Sequence, residues 1–368
     1  MKNKERSSNI ELLRVLLMLV IPIYHVILYN GVVFEKNSPN AVLSMLIAVG
    51  SAIPADYAFM SISAWFLQTS PKKNYIYKWM ILCFQIATMY LIRFGVLRGI
   101  FGFHNEKYFI DFFLMKGAWW YIYAYMVMLL IYPWLNVLIK KCNTKILVII
   151  SIVLFGCVIF NSIVKVSKPM FLYDMIAFLC SYFVTAILTR KKEDVLKKEN
   201  GKIYLSIFIA LYSLMAITGI YFLKSNRFHI GNDGLDIIRW YIGRYNPLGF
   251  VMGISLFLLF MCIPLKNSKK INWLSKSTFY VFLLHETWLG IYWYFERCWN
   301  DVLVGNHFYF IGIILSFAVS SFVVATVVRI LYEATLEKIF VKIVDYIYKK
   351  LKIDKLEGFL EFYEGKNK

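Results

Sequence analysis

No C-x-x-C pair occurs among the six cysteines, Cys83, Cys142, Cys157, Cys180, Cys262 and Cys298, and most of them fall inside apolar runs. That spacing gives no reason to expect a disulfide framework or a metal site, because a thiol in such a run behaves as a small hydrophobe. Acidic residues are few as well: 22 Asp and Glu face 41 Lys and Arg, for a formal net charge of +19. An excess of this kind suits nucleic acid when the cations gather on one polar face. Here they sit in short tracts between apolar runs, which excludes a nucleic-acid partner and marks membrane topology instead. Internal repeats and low-complexity segments are lacking, and GxxxG-like spacing is scarce. Lys2, Lys4 and Arg6 precede an apolar run that no small-residue cleavage site follows, so a retained first span is expected rather than a signal peptide.

What the chain has is apolar mass. Of its 368 residues 60% are hydrophobic and 18% aromatic, against about 45–50% apolar in soluble domains. A span needs roughly 20 mainly apolar residues to cross a hydrocarbon core of about 30 Å. Ten stretches qualify, near 11–30, 42–67, 76–97, 118–139, 146–164, 170–189, 203–223, 246–265, 277–296 and 309–332. The expected fold is therefore all-α, a polytopic membrane protein of about ten transmembrane helices. With the N-terminus inside, the inner connections hold about 18 Lys and Arg against about 10 in the longer outer ones, as cytosolic loops do. An even number of spans returns the C-terminus to the cytosol, dividing the chain into a transmembrane domain over 8–336 and a cytosolic tail over 337–368. In that tail Lys338, Lys342, Lys349, Lys350, Lys352 and Lys355 interleave with Ile339, Ile343, Ile347 and Leu351. The spacing predicts an amphipathic helix on the lipid of the inner leaflet, against the plainer reading of a frayed solvated tail. The outer connections at 98–117 and 224–245 are the longest. The second carries Arg227, His229, Asp233, Asp236, Arg239, Trp240 and Arg244, a mixture that suits a sugar or an ordinary solvated loop.

An ionisable residue inside a bilayer is costly unless it faces the bundle interior or a wet cavity, so each one in a span is a functional candidate. Arg14 and His25 stand eleven positions apart in the first span, which on an α-helix is ~16 Å of rise and only ~20° of rotation. Glu11, three residues before Arg14, falls near the same stripe and is its candidate partner. Pro22 can kink the helix just below His25 and free a carbonyl there. The geometry suits an elongated anion entering from the cytosol, with Arg14 on a phosphate or polar arm and a desolvated His25 as general base. The competing readings are a histidine satisfied structurally and an arginine that snorkels to the headgroups. His285 and Glu286 in the ninth span point about 100° apart, so one of the two at most addresses a cavity. Asp56 and Arg93, in the second and third spans, are candidates for a mutual ion pair. Trp119, Trp120, Tyr121, Tyr123 and Tyr125 open the fourth span on the outer side, where aromatics stack on sugars or form the ordinary interfacial belt.

The first span with its leader, SSNIELLRVLLMLVIPIYHVI, resembles the membrane acyltransferase-3 family of bacterial O-acyltransferases, whose hallmark is a basic residue, ten residues, then histidine. FMSISAWFL is similar to that family's small Ser-Gly-aromatic segment, with Ala64 in place of the usual glycine. WWYIYAYMVMLLIYPWLN at 119–136, YNPLGFVMGISLFLLF at 245–260 and INWLSKSTFYVFLLHE at 271–286 resemble further stretches of the family in the same order. The likeness covers nearly all of 8–336. It implies acyl transfer, usually acetyl from acetyl-CoA as co-substrate and without a metal, to a hydroxyl of a lipid-linked or polymerised envelope glycan at the bacterial cytoplasmic membrane. Carried over by position, His25 matches the catalytic histidine and Arg14 its basic partner, with His285 as a further site candidate. Coenzyme A is polyanionic and stays in the cytosol, so Lys72, Lys73 and Lys78 join Arg14 as candidates for its phosphates, unless they only set topology. Ser63, Trp120, Tyr123 and Glu286 are the candidates on the acceptor side or in the cavity.

A transporter or flippase for an anionic substrate or lipid-linked sugar uses intramembrane charge just as readily. Inverted-repeat transporters carry paired broken helices in both halves, whereas Pro22 and Pro54 lie early with no convincing counterpart late. A non-catalytic assembly protein, in which His25 is dispensable, is the third reading.

Overall fold

The computed structural model describes residues 7–29, 38–69, 74–101, 119–164, 170–225, 241, 246–285, 305–355 and 357. Among these every regular element is a helix: α1 Ser8–Tyr29, α2 Asn40–Gly50, α3 Ala52–Thr69, α4 Tyr75–Phe101, α5 Trp120–Lys141, α6 Thr144–Val164, α7 Met170–Arg190, α8 Asn200–Lys224, α9 Pro247–Cys262, α10 Lys269–Ser275, α11 at 278–285, α12 His307–Ala334 and α13 Leu336–Lys350, with one further turn at Lys192–Val195. The all-α polytopic fold is as expected. Eight segments among the described residues are long and apolar enough to cross a membrane, the pair α2–α3 counting as one. The apolar α9 is shorter at 16 residues, and the predicted span 277–296 is described only as far as His285. Most of the two long outer connections lies outside the described residues, including all seven polar and aromatic residues singled out in 224–245.

The second span is two helices rather than one, joined at Ser51 (φ −108°, ψ −93°). Pro54 supplies the reason: it has no N–H to donate back to residue 50, and its ring collides with that carbonyl. Pro22, by contrast, is carried inside α1 without ending it.

The chain divides into two compact units. The first comprises Met1–Ile62, Val158–Lys165 and Lys191–Thr326. Its core joins Val26 and Ile27 of α1, Met45 and Val49 of α2, Met215 of α8, Met252 of α9 and Phe317 of α12, all buried. Apolar burial drives no association between helices in lipid, so close packing and small residues must do it. Gly249 and Gly253 show this: a Cβ at 253 would lie 2.7 Å from the Pro54 carbonyl oxygen and 2.8 Å from the Ala58 nitrogen, so α9 meets the first half of α3 backbone to backbone.

The second unit comprises Ser63–Cys157, Val166–Arg190 and Val327–Lys368. Interhelical hydrogen bonds hold it. Tyr182 donates to Asn136 Oδ1 (2.8 Å), Asn136 donates to the Leu67 carbonyl (3.2 Å), and Gln68 donates to the Tyr182 carbonyl (2.6 Å). Arg190 closes the end of α5 by donating to the Ile139 and Cys142 carbonyls (2.6 and 2.8 Å), where the helix dipole is negative. The tail is helical over α13, which runs antiparallel beside the start of α4: Phe340 stacks on Phe84 (4.7 Å) and Tyr348 meets Tyr77 edge-on (5.6 Å). Beyond it Glu357 accepts from the Asn74 and Ile76 N–H groups (2.6 and 2.8 Å) and from the Tyr348 hydroxyl (2.9 Å), which caps α4. Burial and the Glu357 charge push the Tyr348 hydroxyl above its ordinary pKa.

Ile152 on α6 is 65% exposed and Ile217 on α8 68%, with Ile149, Val153 and Phe160 similarly bare. On a soluble surface such ridges would drive aggregation; on helices of spanning length they are the faces that meet acyl chains.

Candidate active site

α1 is pinned at its first turn. Ser8 Oγ accepts from the Ser268 N–H (2.8 Å) and donates to Asn272 Oδ1 (2.9 Å), while Asn9 donates to the Phe260 carbonyl at the end of α9 (2.8 Å). From this floor the helix rises past Glu11 and Arg14, which pair at 3.5 Å as their three-residue spacing predicted. The Glu11 carboxylate is buried and Arg14 half-buried.

Three turns above Arg14, His25 meets His285. His25 Nδ1 and His285 Nε2 are 2.8 Å apart. The rings are nearly coplanar at 11°, yet their centroids are 4.9 Å apart, so they touch edge to edge rather than face to face. Two contact points, Ser8 with Asn272 and His25 with His285, make the α10–α11 segment rise beside α1 in the same direction.

The hydrogen bonds fix the tautomers of a neutral pair. His285 Nδ1 faces the carbonyls of Val281 (2.9 Å) and Phe282 (3.0 Å), which only accept, so Nδ1 carries the hydrogen. Its Nε2 is then a lone-pair acceptor. His25 Nδ1 must be the donor toward it, and the lone pair of His25 resides on Nε2. In that neutral form the basic nitrogen is Nε2, the one a general base would use, oriented by a partner imidazole and, behind it, by the helix backbone. His285 is 2% exposed and His25 half-buried, so the nitrogen-to-nitrogen bond is screened from competing water.

Lys78 is exposed in the first turn of α4; Lys72, Lys73 and Glu286 lie outside the described residues. Ser63, Trp120 and Tyr123 belong to the second unit. There Ser63 Oγ shares a hydrogen bond with the Tyr121 hydroxyl (2.7 Å), Tyr121 stacks on Phe178 (5.9 Å), Trp120 is half-buried and Tyr123 is buried. Trp119 is buried, with Tyr90 edge-on at 5.8 Å and the Arg93 guanidinium 5.6 Å from its ring centre, a cation–π contact. Asp56 is half-buried on α3 in the first unit. Sequence reasoning passed over Asp174 on α7 and Arg329 on α12, both fully buried, Arg329 with Glu333 at 3.9 Å. The rule that flagged Arg14, an ionisable residue inside a predicted span, would have found both. Among the described residues no cluster of three or more His, Cys, Asp or Glu is placed to hold a metal ion.

A family model described as an acyltransferase domain, acyltransferase-3, matches residues 7–326. No curated protein and no solved structure matches the chain.

Proposed function

The chain belongs to the acyltransferase-3 family, and from that premise we propose that it transfers an acyl group, acetyl first of all, from cytosolic acyl-CoA to a hydroxyl of a cell-envelope or lipid-linked glycan. Family membership makes it a membrane acyltransferase with an acyl donor and an acceptor. The choice of coenzyme A and glycan is what the likeness of the motif-bearing stretches to that family implies, and an intramembrane cation below a histidine is compatible with it. The observation that carries the reading is the His25–His285 hydrogen bond, which presents a basic Nε2 inside a membrane bundle, with a cation below it on the same stripe of α1.

In this reading His25 Nε2 takes the proton of the acceptor hydroxyl as its oxygen attacks the thioester carbonyl. The carbon–sulfur bond then breaks, and the imidazolium returns its proton to the departing thiolate. The positive charge that forms on His25 strengthens its Nδ1–H bond to His285. Arg14 stands ~16 Å below His25 along the helix axis, too far to touch the reacting atoms, so its role is to hold a phosphate or polar part of the donor. A covalent acyl-histidine through the same Nε2 is the variant of this step. Ser63, Trp120 and Tyr123 are the candidates for the acceptor side.

The test is transfer in proteoliposomes: acyl-CoA is supplied on the cytosolic side, and thiol release is measured together with acylated glycan. His25→Ala protein that inserts and folds normally should release thiol no faster than empty vesicles. Full activity from that variant would end the proposal. Glycan crossing the bilayer with no thioester consumed would identify a flippase.

A further inference from the structure

The first unit carries its own cationic surface at the foot of the histidine pair. Lys266, Lys269, Lys270 and Lys276 are all exposed, and none has a carboxylate partner among the described residues. Three positions stand out on α10 and its C-cap residue. Lys269, Trp273 and Lys276 follow at i, i+4 and i+7, which places them within about 60° of one another on the helix surface. Trp273 in the middle is 49% exposed. The stripe is therefore cation, indole, cation.

Its mounting is rigid. Asn272, on the adjoining side of α10, bonds to Ser8 of α1 (2.9 Å) and donates to Asn267 (2.7 Å). At the joint to α11, Thr278 donates to the Ser275 carbonyl (2.7 Å), and Thr326 of α12 donates to the buried Ser277 hydroxyl (2.9 Å). Lysines that only set topology need no fixed scaffold, and interfacial tryptophans need no flanking cations at these spacings. The same chain then climbs to His285, nine residues after Lys276 and ~14 Å higher if helical throughout.

We propose that this stripe is the docking site for the adenine nucleotide end of the acyl donor, with the base stacked on Trp273 and the phosphates between Lys269 and Lys276. The inference deepens the acyl-CoA reading above and rests on it. An aromatic face beside fixed cations is the chemistry that receives a base and its phosphates together. The flexible arm of the donor then runs upward along α1 past Arg14, which brings the thioester to His25. The stripe supplies affinity and the histidine pair supplies reaction, so the two should separate by mutation.

The experiment measures binding of unacylated coenzyme A to the purified full-length protein in nanodiscs, by calorimetry at two salt concentrations. Each variant is first shown to insert and to elute as the wild type does. Trp273→Leu should weaken binding at least tenfold and Trp273→Phe by less. Lys269→Gln with Lys276→Gln should weaken it at least tenfold and flatten its salt dependence. His25→Ala should bind as the wild type does. If the wild type binds coenzyme A and the stripe variants bind it equally well, the docking site is elsewhere and only this inference falls. The same holds if they lose only retention of anionic lipid, since the stripe is then a headgroup site. If the wild type binds no coenzyme A, the donor reading falls and this inference with it.

Discussion

Replacing His285 tests the tautomer argument most sharply, because three substitutions leave different atoms in place. His285→Ala removes the acceptor for the His25 Nδ1–H, now 2.8 Å away. A buried donor left unmatched costs about 1–3 kcal/mol, and the same energy no longer favours the tautomer with its lone pair on Nε2. Taken entirely in the transition state, that is a ~5- to ~150-fold loss in kcat/KM. His285→Gln places an amide oxygen close to the lost Nε2, so it should accept from His25 and recover most of the activity. His285→Asn reaches only as far as Nδ1, where it can still donate to the Val281 or Phe282 carbonyl but offers His25 nothing, so it should resemble alanine. The assay is thiol release in proteoliposomes, with kcat and donor KM separated, backed by nitrogen-15 resonances of His25 to read its tautomer. Loss should appear in kcat, with KM nearly unchanged. Asparagine as active as glutamine, or alanine as active as wild type, would refute the reasoning.

Arg14→Gln should raise the donor KM and spare kcat, since the guanidinium lies far below the reacting nitrogen; steady-state kinetics at varied acyl-CoA check it. Gly253→Ala forces a methyl group against the Pro54 carbonyl and Ala58 nitrogen, so thermal unfolding in detergent should show a destabilisation of about 1–3 kcal/mol. Because folding raises the Tyr348 pKa, the tail contact is at full strength below the unfolded tyrosine value of about 10 and weakens as pH climbs past it. Proteolysis of the tail should accelerate in that alkaline range, and Tyr348→Phe should reduce the pH dependence, the remainder coming from Tyr75 and Tyr77, which also titrate against the tail.

Much of α1 was legible in the sequence. The spacing of Glu11, Arg14 and His25 converts directly into a shared stripe, because helical geometry is local and needs no knowledge of neighbours. The partner of His25 was not legible as a contact: His285 lies 260 positions away, and no periodicity says which helix packs on which. The run from Lys276 to His285 marked His285 as a candidate, but its role came only from the two carbonyls behind it. Gly249 and Gly253 stand at GxxxG spacing in plain sight, and what they contact, the backbone of α3, is again a question of neighbours. The contacts of Trp119 were likewise not legible: Arg93 and Tyr90, about 26–29 positions earlier, pack on its ring. Asp174 and Arg329 were visible by the same test as Arg14 and were passed over.

The identity of the second group in the pair has a physical rationale. Most imidazole bases are oriented by a carboxylate, but an ionised carboxylate in a membrane bundle is costly to hold, and it stays charged through the resting state. A second imidazole orients His25 through one hydrogen bond without placing a fixed negative charge beside it. Its own Nδ1 hydrogen is accepted by the Val281 and Phe282 carbonyls. In the proposed step positive charge forms on His25 as the acceptor's proton arrives, beside a hydrogen-bond chain whose far end is a pair of carbonyl dipoles. On this argument the single fixed cation on the stripe belongs far from the reaction. An arginine beside Nε2 would oppose the imidazolium, whereas three turns below it the proposed role of Arg14, holding a polar part of the donor, leaves the reacting nitrogen untouched.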